Sequence, residues 1–436
     1  MAFPSILLPG VFILITLIII KRSLFNHRYP PGPPGRMVVG NLWQIPAKKP
    51  WLAYTKWAKR YGDIMHLQAV NDHIVVLSSV KVVNDLFEKR SRIYSGRPNE
   101  DIVAIAEWDF NLGLLNYSDA WRKGRSMYQQ EFRPNAIVQL RPALQERVST
   151  FMKKLCKSPE DFMDHIDLLS ASLGLKIIYG INIENSRDPL ITVAQEATQT
   201  IETIHTPSFI AVLKLCPNVM SIPRWVPILG SVRQSIENTR KLLRDLKEQP
   251  VQSVQKNAAS GFESDGIAPR LIRDMGSDKE SIRRIQEMAP TVYAASAGTI
   301  MSSAGTFFLA MAKNAHAQKK AQQEIDSLTD RNRLPTLDDR GNLPYVEAIY
   351  RETLRWFPAL PLGVPHMATQ DDIYSGYDIP KGTILISNIW AMTHDEELYP
   401  DPDEFKPERF LNGNGNINDI LAFGFGRRYR STLFMV

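Results

Sequence analysis

The chain has 436 residues, 44% hydrophobic and 22% charged, a globular composition with enough apolar surface for a large core. Its two cysteines, Cys156 and Cys216, exclude a disulfide framework, suit a reducing compartment and lack metal-ligand spacing. The formal charge of +6 suits an anionic membrane surface or an acidic partner, and without basic-aromatic clustering no nucleic acid partner is expected.

In chain order, residues 2–20 carry no charge and 11–20 are almost purely aliphatic, while Lys21, Arg22 and Arg28 follow directly. Positive charge behind the apolar run and none ahead predicts an uncleaved anchor with the rest of the chain cytosolic. A run of about 19 residues is long enough to span, although Pro4 and Pro9 interrupt its first half, and a monotopic segment is the alternative. The expected division is 1–22 as membrane anchor, 23–35 as a basic, Pro/Gly-rich linker and 36–436 as the body. Tyr29-Pro30-Pro31-Gly32-Pro33-Pro34-Gly35 is stiff and non-helical, because repeated prolines hold an extended backbone.

Beyond the linker, 51–61 reads as a short helix, and 64–69 with 73–79 as a β-hairpin turning at Asn71-Asp72. A second hairpin is expected from 373–379 and 383–387, with Pro380-Lys381-Gly382 as its turn. Helical periodicity covers 136–156, 161–179, 188–215, 232–258, 288–328 and 344–356, with a polar breaker at 257–266 and an Asn/Gly loop at 412–418. Residues 288–312 run without a charge, long enough for a second membrane span. Their Ala, Ser, Gly and Thr content and charged flanks instead predict a small-residue helix buried in the middle of a soluble core, against a flat cofactor.

The chemistry lies in four short motifs and one loop. Glu352-Thr353-Leu354-Arg355 sets acid and base one helical turn apart, and Pro407-Glu408-Arg409-Phe410 adds a second arginine. Buried charges persist only when paired, and guanidinium suits bidentate pairing, although a solvated helix face could carry the same spacing. Trp121-Arg122-Lys123-Gly124-Arg125 puts an indole N–H and a guanidinium on one helix face, the donors a carboxylate needs. Val364-Pro365-His366 follows, and then Phe423-Gly424-Phe425-Gly426-Arg427-Arg428. For any one of these residues, packing or a surface ion pair is the plain alternative.

In this order and spacing, from Pro30 to Tyr429, these motifs resemble the cytochrome P-450 family, and the wording of 388–395 and 399–402 is similar to fungal microsomal members of secondary metabolism or xenobiotic oxidation. The resemblance implies a mainly α fold, a triangular helical body with a small β-rich lobe. It also implies haem as cofactor, an NADPH-dependent reductase as partner, and hydroxylation of an apolar small molecule with O2 at the endoplasmic reticulum membrane. Carried over residue by residue, Trp121, Arg125, His366 and Arg428 donate to the haem propionates, Glu352, Arg355 and Arg409 lock the core, and 94–111, with Trp108 and Phe110, lies over the substrate. Thr299 takes the place of the threonine that relays protons in oxygen activation.

The chain departs from the pattern where reactivity resides. Arg430 occupies the position of the cysteine ligand, Thr432 that of the next glycine, and Val436 is the last residue, so the expected domain lacks the C-terminal helix and strands. A guanidinium offers no lone pair to iron, so no metal ligand is assigned. Beside Thr299, Gly298 replaces the acid and Ile300 the second hydroxyl. The sequence therefore leaves three readings: an active monooxygenase, a catalytically inactive truncated product, and a non-enzymatic membrane-anchored helical protein.

Overall fold

Strand-forming alternation and proline placement account for most of the architecture in the computed structural model, which describes residues 28–262, 264–276, 278–411 and 421–431. The expected anchor at 1–22 and the loop at 412–418 lie outside the described residues. β1 (Ile64–Ala69) and β2 (Asp72–Leu77) pair antiparallel, Ile64 opposite Leu77 and Ala69 opposite Asp72. The turn is therefore Val70-Asn71, one residue earlier than expected, with Val70 at φ 56°. The linker is stitched to this hairpin and its neighbour. Pro31 O accepts the His66 N–H at 3.0 Å, and Arg28 O accepts the Asp378 N–H at 2.8 Å. Tyr29 stacks on His66 at 4.5 Å and on His73 at 4.7 Å.

β3 (His366–Met367), β4 (Asp372–Tyr374), β5 (Tyr377–Ile379) and β6 (Ile384–Ser387) complete a four-stranded sheet of order β1-β2-β6-β3 and a separate β4-β5 pair. The expected second hairpin is thus corrected. Residues 372–379 fold on themselves, and β6 leaves to pair parallel with β2. Ser375 and Gly376, at φ 52° and 78°, make the two-residue turn that suits strand twist, whereas Pro380 has no N–H to give a ladder.

The longer helices in chain order begin with α1 (Pro50–Tyr61), α2 (Asp119–Glu131), α3 (Arg141–Lys157) and α4 (Phe162–Tyr179). They continue with α5 (Pro189–Ile204), α6 (Pro207–Leu215), α7 (Leu229–Ala259) and α8 (Ile267–Met275). The last are α9 (Lys279–Lys313), α10 (Ala315–Thr329) and α11 (Pro344–Trp356). Two expected long helices are each split. Pro207 opens α6 because proline is tolerated in a first turn and not inside a helix, and Asn314, at φ −125° and ψ 66°, parts α9 from α10.

α9 packs against α4, α7, α8 and α11. Its approach to α4 relies on Gly174, where a Cβ would come within 3.1 Å of the Tyr293 ring, and on Ser170, whose hydroxyl donates to Ala297 O. Met288 to Tyr293, Ser296, Ala310 and Met311 are buried, but Gly298 and Ser302 are exposed, as are Phe307 (41%) and Leu309 (48%). Continuous burial of 288–312 is corrected accordingly: lack of charge marks a helix of small residues with little apolar area to hide, not a helix enclosed on every side. By length and composition α9 could cross a membrane. The fold is mainly α with a small β lobe, whose core of Val75, Leu77, Phe87, Tyr94 and Leu385 also receives Phe425.

Candidate functional site

The loop before Arg428 is shaped by two glycines. Gly424 and Gly426 sit at φ 83° and 70°, and a Cβ on Gly426 would lie 2.3 Å from Phe87 O. Only glycine fits that second position without displacing backbone. Gly426 N–H donates to Glu88 Oε1 at 2.6 Å, Phe425 packs on Phe87, and Phe423 packs on Leu354 of α11. The loop thereby ties the β lobe to α11 and turns Arg428 inward.

Arg428 is buried, its guanidinium donating to Ser95 O at 3.0 Å, Leu112 O at 3.3 Å and Leu115 O at 2.9 Å. The Trp121 indole N–H reaches the same Leu112 O at 3.2 Å, so donors from α2 and the loop converge on one point. The guanidinium carbons of Arg125 and Arg428 lie 5.1 Å and 5.2 Å from the Trp121 ring centre, two cations on one indole. His366 is buried and stacked on Phe87 at 4.2 Å, its Nδ1 bonded to Tyr94 O at 2.7 Å. A carbonyl only accepts, so Nδ1 carries the hydrogen.

Arg97 joins them. It is 6% exposed and donates to Gly113 O at 2.7 Å, Val364 O at 2.7 Å and Pro365 O at 2.5 Å. Burial, and then the charge of Arg428, push its guanidinium well below the usual arginine range. Burial first and Arg125 second bring Arg428 down to about 10. Burial, then Arg97, also hold the His366 imidazole well below 6.5 and neutral. Each shift has the same cause: like charges gathered out of water. Such a cluster would be stabilised by an anion.

A second cluster is internally paired. Glu352 and Arg355 meet in a bidentate pair at 2.7 Å and 2.8 Å, and are 0% and 3% exposed. Glu352 also accepts the Lys406 N–H at 2.8 Å and faces Arg409 Nε at 3.5 Å, while Arg355 donates to the carbonyls of Thr393, Pro402 and Glu404. This network joins α11 to the 407–410 turn. Thr299, on α9, donates its hydroxyl to Ala295 O at 2.9 Å and Ser296 O at 3.1 Å, bonding its own helix. Among the described residues, nothing beyond its own stretch of helix lies within 4 Å of where a Gly298 Cβ would be.

The family model for cytochrome P-450 matches residues 30–429. The cytochrome P-450 monooxygenase COX2 of Coprinopsis cinerea is 37% identical over 92% of this chain and 78% of its own length. The monooxygenase ple1 of Rhodocybe pseudopiperita is also 37% identical, over 92% and 79%. The tryptamine 4-monooxygenase of Psilocybe cyanescens is 32% identical, over 93% and 82%. The chain belongs to the cytochrome P-450 family.

A cytochrome P-450 is a haem-dependent monooxygenase that takes electrons from a redox partner and acts on a small molecule, and haem is a dicarboxylate. The cations fit it: buried Arg97 and Arg428 and partly buried Arg125, with the Trp121 N–H, would hold the two carboxylates, a match of donor chemistry to a dianion. The iron side does not fit the thiolate pattern. Arg430 stands at the ligand position, Cys156 is exposed at the end of α3, and Cys216 follows α6. Among the described residues no group of three or more His, Cys, Asp or Glu could hold a metal ion.

Arg97 is what the motif reading missed in this cytochrome P-450. It falls inside 94–111, which reads as a segment covering substrate. The lone basic residue of that stretch, set against Glu100, Asp101, Glu107 and Asp109, was the available signal. Trp108, in the same segment, is wholly buried, with its indole N–H on Thr200 at 3.1 Å.

Proposed function

We propose that this cytochrome P-450 is held at the endoplasmic reticulum membrane by residues 1–22 with its body in the cytosol, and that it binds haem by the carboxylates without completing the monooxygenase cycle. Its lineage would hydroxylate an apolar small molecule under the 94–111 segment, with electrons from an NADPH-dependent reductase. The observation that carries the haem half of this reading is the burial of Arg97 and Arg428 in one cluster, where desolvation first and neighbouring like charge second depress both guanidinium groups. Exposed Arg122 and Arg427, both over the Tyr117 ring, would give an acidic reductase its electropositive face.

Haem, when bound, supplies the redox iron at which dioxygen is activated. The chain's own residues fall short on both sides of it. At the ligand position the Arg430 guanidinium has no lone pair to donate. On α9 the Thr299 hydroxyl gives its hydrogen to its own helix, and Gly298 offers no acid to replenish it. The discriminating experiment is the reduced carbon monoxide spectrum of the haem-loaded chain. No thiolate-type Soret band is expected, and such a band would overturn the inactive reading.

A further inference from the structure

We infer that this chain holds its tetrapyrrole through the ring's carboxylates alone, so that zinc-substituted and metal-free protoporphyrin bind as tightly as haem. The inference rests on the haem-pocket reading above and extends it to a ligand class, the porphyrin dicarboxylates, without regard to the metal.

Three observations carry it. First, Arg97 is 6% exposed and, among the described residues, makes no ion pair; its bonds run to the carbonyls of Gly113, Val364 and Pro365. Carbonyl dipoles satisfy its N–H groups but leave its charge uncompensated, and a buried charge without a counterion is costly. Second, the neighbouring charges are of the same sign. Arg428 bears on Arg97, and Arg125 bears on Arg428. An arriving dianion relieves both burial and repulsion, and this gain depends on the ring's periphery and not on its centre. Third, the loop offers no thiolate to the centre of the ring. Arg430 replaces the ligand in sequence, and His366, its Nδ1 on Tyr94 O and its face on Phe87, sits among Arg97 and Arg428 with the cations that face the carboxylates.

The full chain in detergent micelles is titrated with haemin, zinc protoporphyrin, metal-free protoporphyrin IX and the dimethyl ester of the last, following quenching of tryptophan fluorescence. The three diacids are expected to agree within about threefold, and the diester to bind at least about tenfold more weakly, the loss of charge-assisted bonds. Arg97→Gln and Arg428→Gln should weaken the diacids and leave the diester unchanged. If either variant fails to fold, the diacid-to-diester ratio on the parent chain decides alone. Haemin binding tenfold tighter than the other two diacids would overturn the inference and leave the haem-pocket reading standing. A diester as tight as the diacids would overturn it too, by showing that apolar burial suffices. Absence of saturable binding by all four rings would sink both.

Discussion

Removing the Glu352 carboxylate tests whether the paired cluster holds the body together. Glu352→Ala leaves Arg355, only 3% exposed, with three carbonyls and no anion, and strips the Lys406 N–H and Arg409 of their partner. Breaking a buried pair from one side costs about 3–5 kcal/mol, and the orphaned amide adds about 1 kcal/mol. Against a typical total of about 5–15 kcal/mol, roughly a quarter or more of the stability goes. The control is Glu347→Ala, because Glu347 pairs with Arg340 and Arg351 in a half-buried site where the loss should be about 0.5–1 kcal/mol. Urea unfolding followed by far-ultraviolet circular dichroism measures both. Replacing the pair together, Glu352→Leu with Arg355→Met, should recover much of the loss, since apolar substitution of a buried pair is often close to neutral. If Glu352→Ala unfolds within about 1 kcal/mol of Glu347→Ala, the argument from desolvation is wrong.

Acid should weaken the fold early. Burial, with His73 nearby, lowers His66 to about 4, and burial, with Arg355 nearby, lowers His394 to about 4, both from 6.5. Below pH 6.5 the unfolded chain takes up protons that the folded chain refuses, so this stability is complete above 6.5 and is lost as pH falls toward 4. The slope should be up to about 1 kcal/mol per pH unit for each histidine, reduced by partial exposure, and flat urea midpoints between pH 7 and pH 5 would refute it. Carboxylate binding near His366 should raise its pKa and draw in a proton, so diacid porphyrins should bind more tightly as pH falls; His366→Gln should flatten that dependence. Gly426→Ala forces a Cβ against Phe87 O at φ 70°, with an expected cost of about 2 kcal/mol or more and loss of porphyrin binding as Arg428 shifts; a variant with wild-type stability and affinity would show that the loop yields.

The motifs that could be read were those whose chemistry is local. Glu352 and Arg355 are one helical turn apart, so their pairing needed no tertiary knowledge, and the split at Pro207 follows from proline's missing N–H. What escaped depended on distant partners. β6 was assigned to the wrong neighbour because Ile384–Ser387 is equally apolar whether it pairs with residues 373–379 or with β2, and the parallel choice is made by tertiary packing. Arg97 looks like an ordinary surface cation near Glu100 and Asp101 until the loops carrying Gly113, Val364 and Pro365 close around it. Exposure along Gly298 to Leu309 was invisible for the same reason, since composition reports what a helix could tolerate and not what covers it.

The stitching of residues 28–31 onto the sheet has a mechanical consequence. A tensile load applied at Arg28 meets its bond to Asp378, the Pro31–His66 bond and the Tyr29 stack on His66 and His73 within a few residues of one another. Loaded together they resist as a shear joint, where a free proline linker would behave as a swivel. The β1–β2 hairpin therefore acts as a bracket, and torque entering through the linker tilts the sheet and the helical body as one rigid piece.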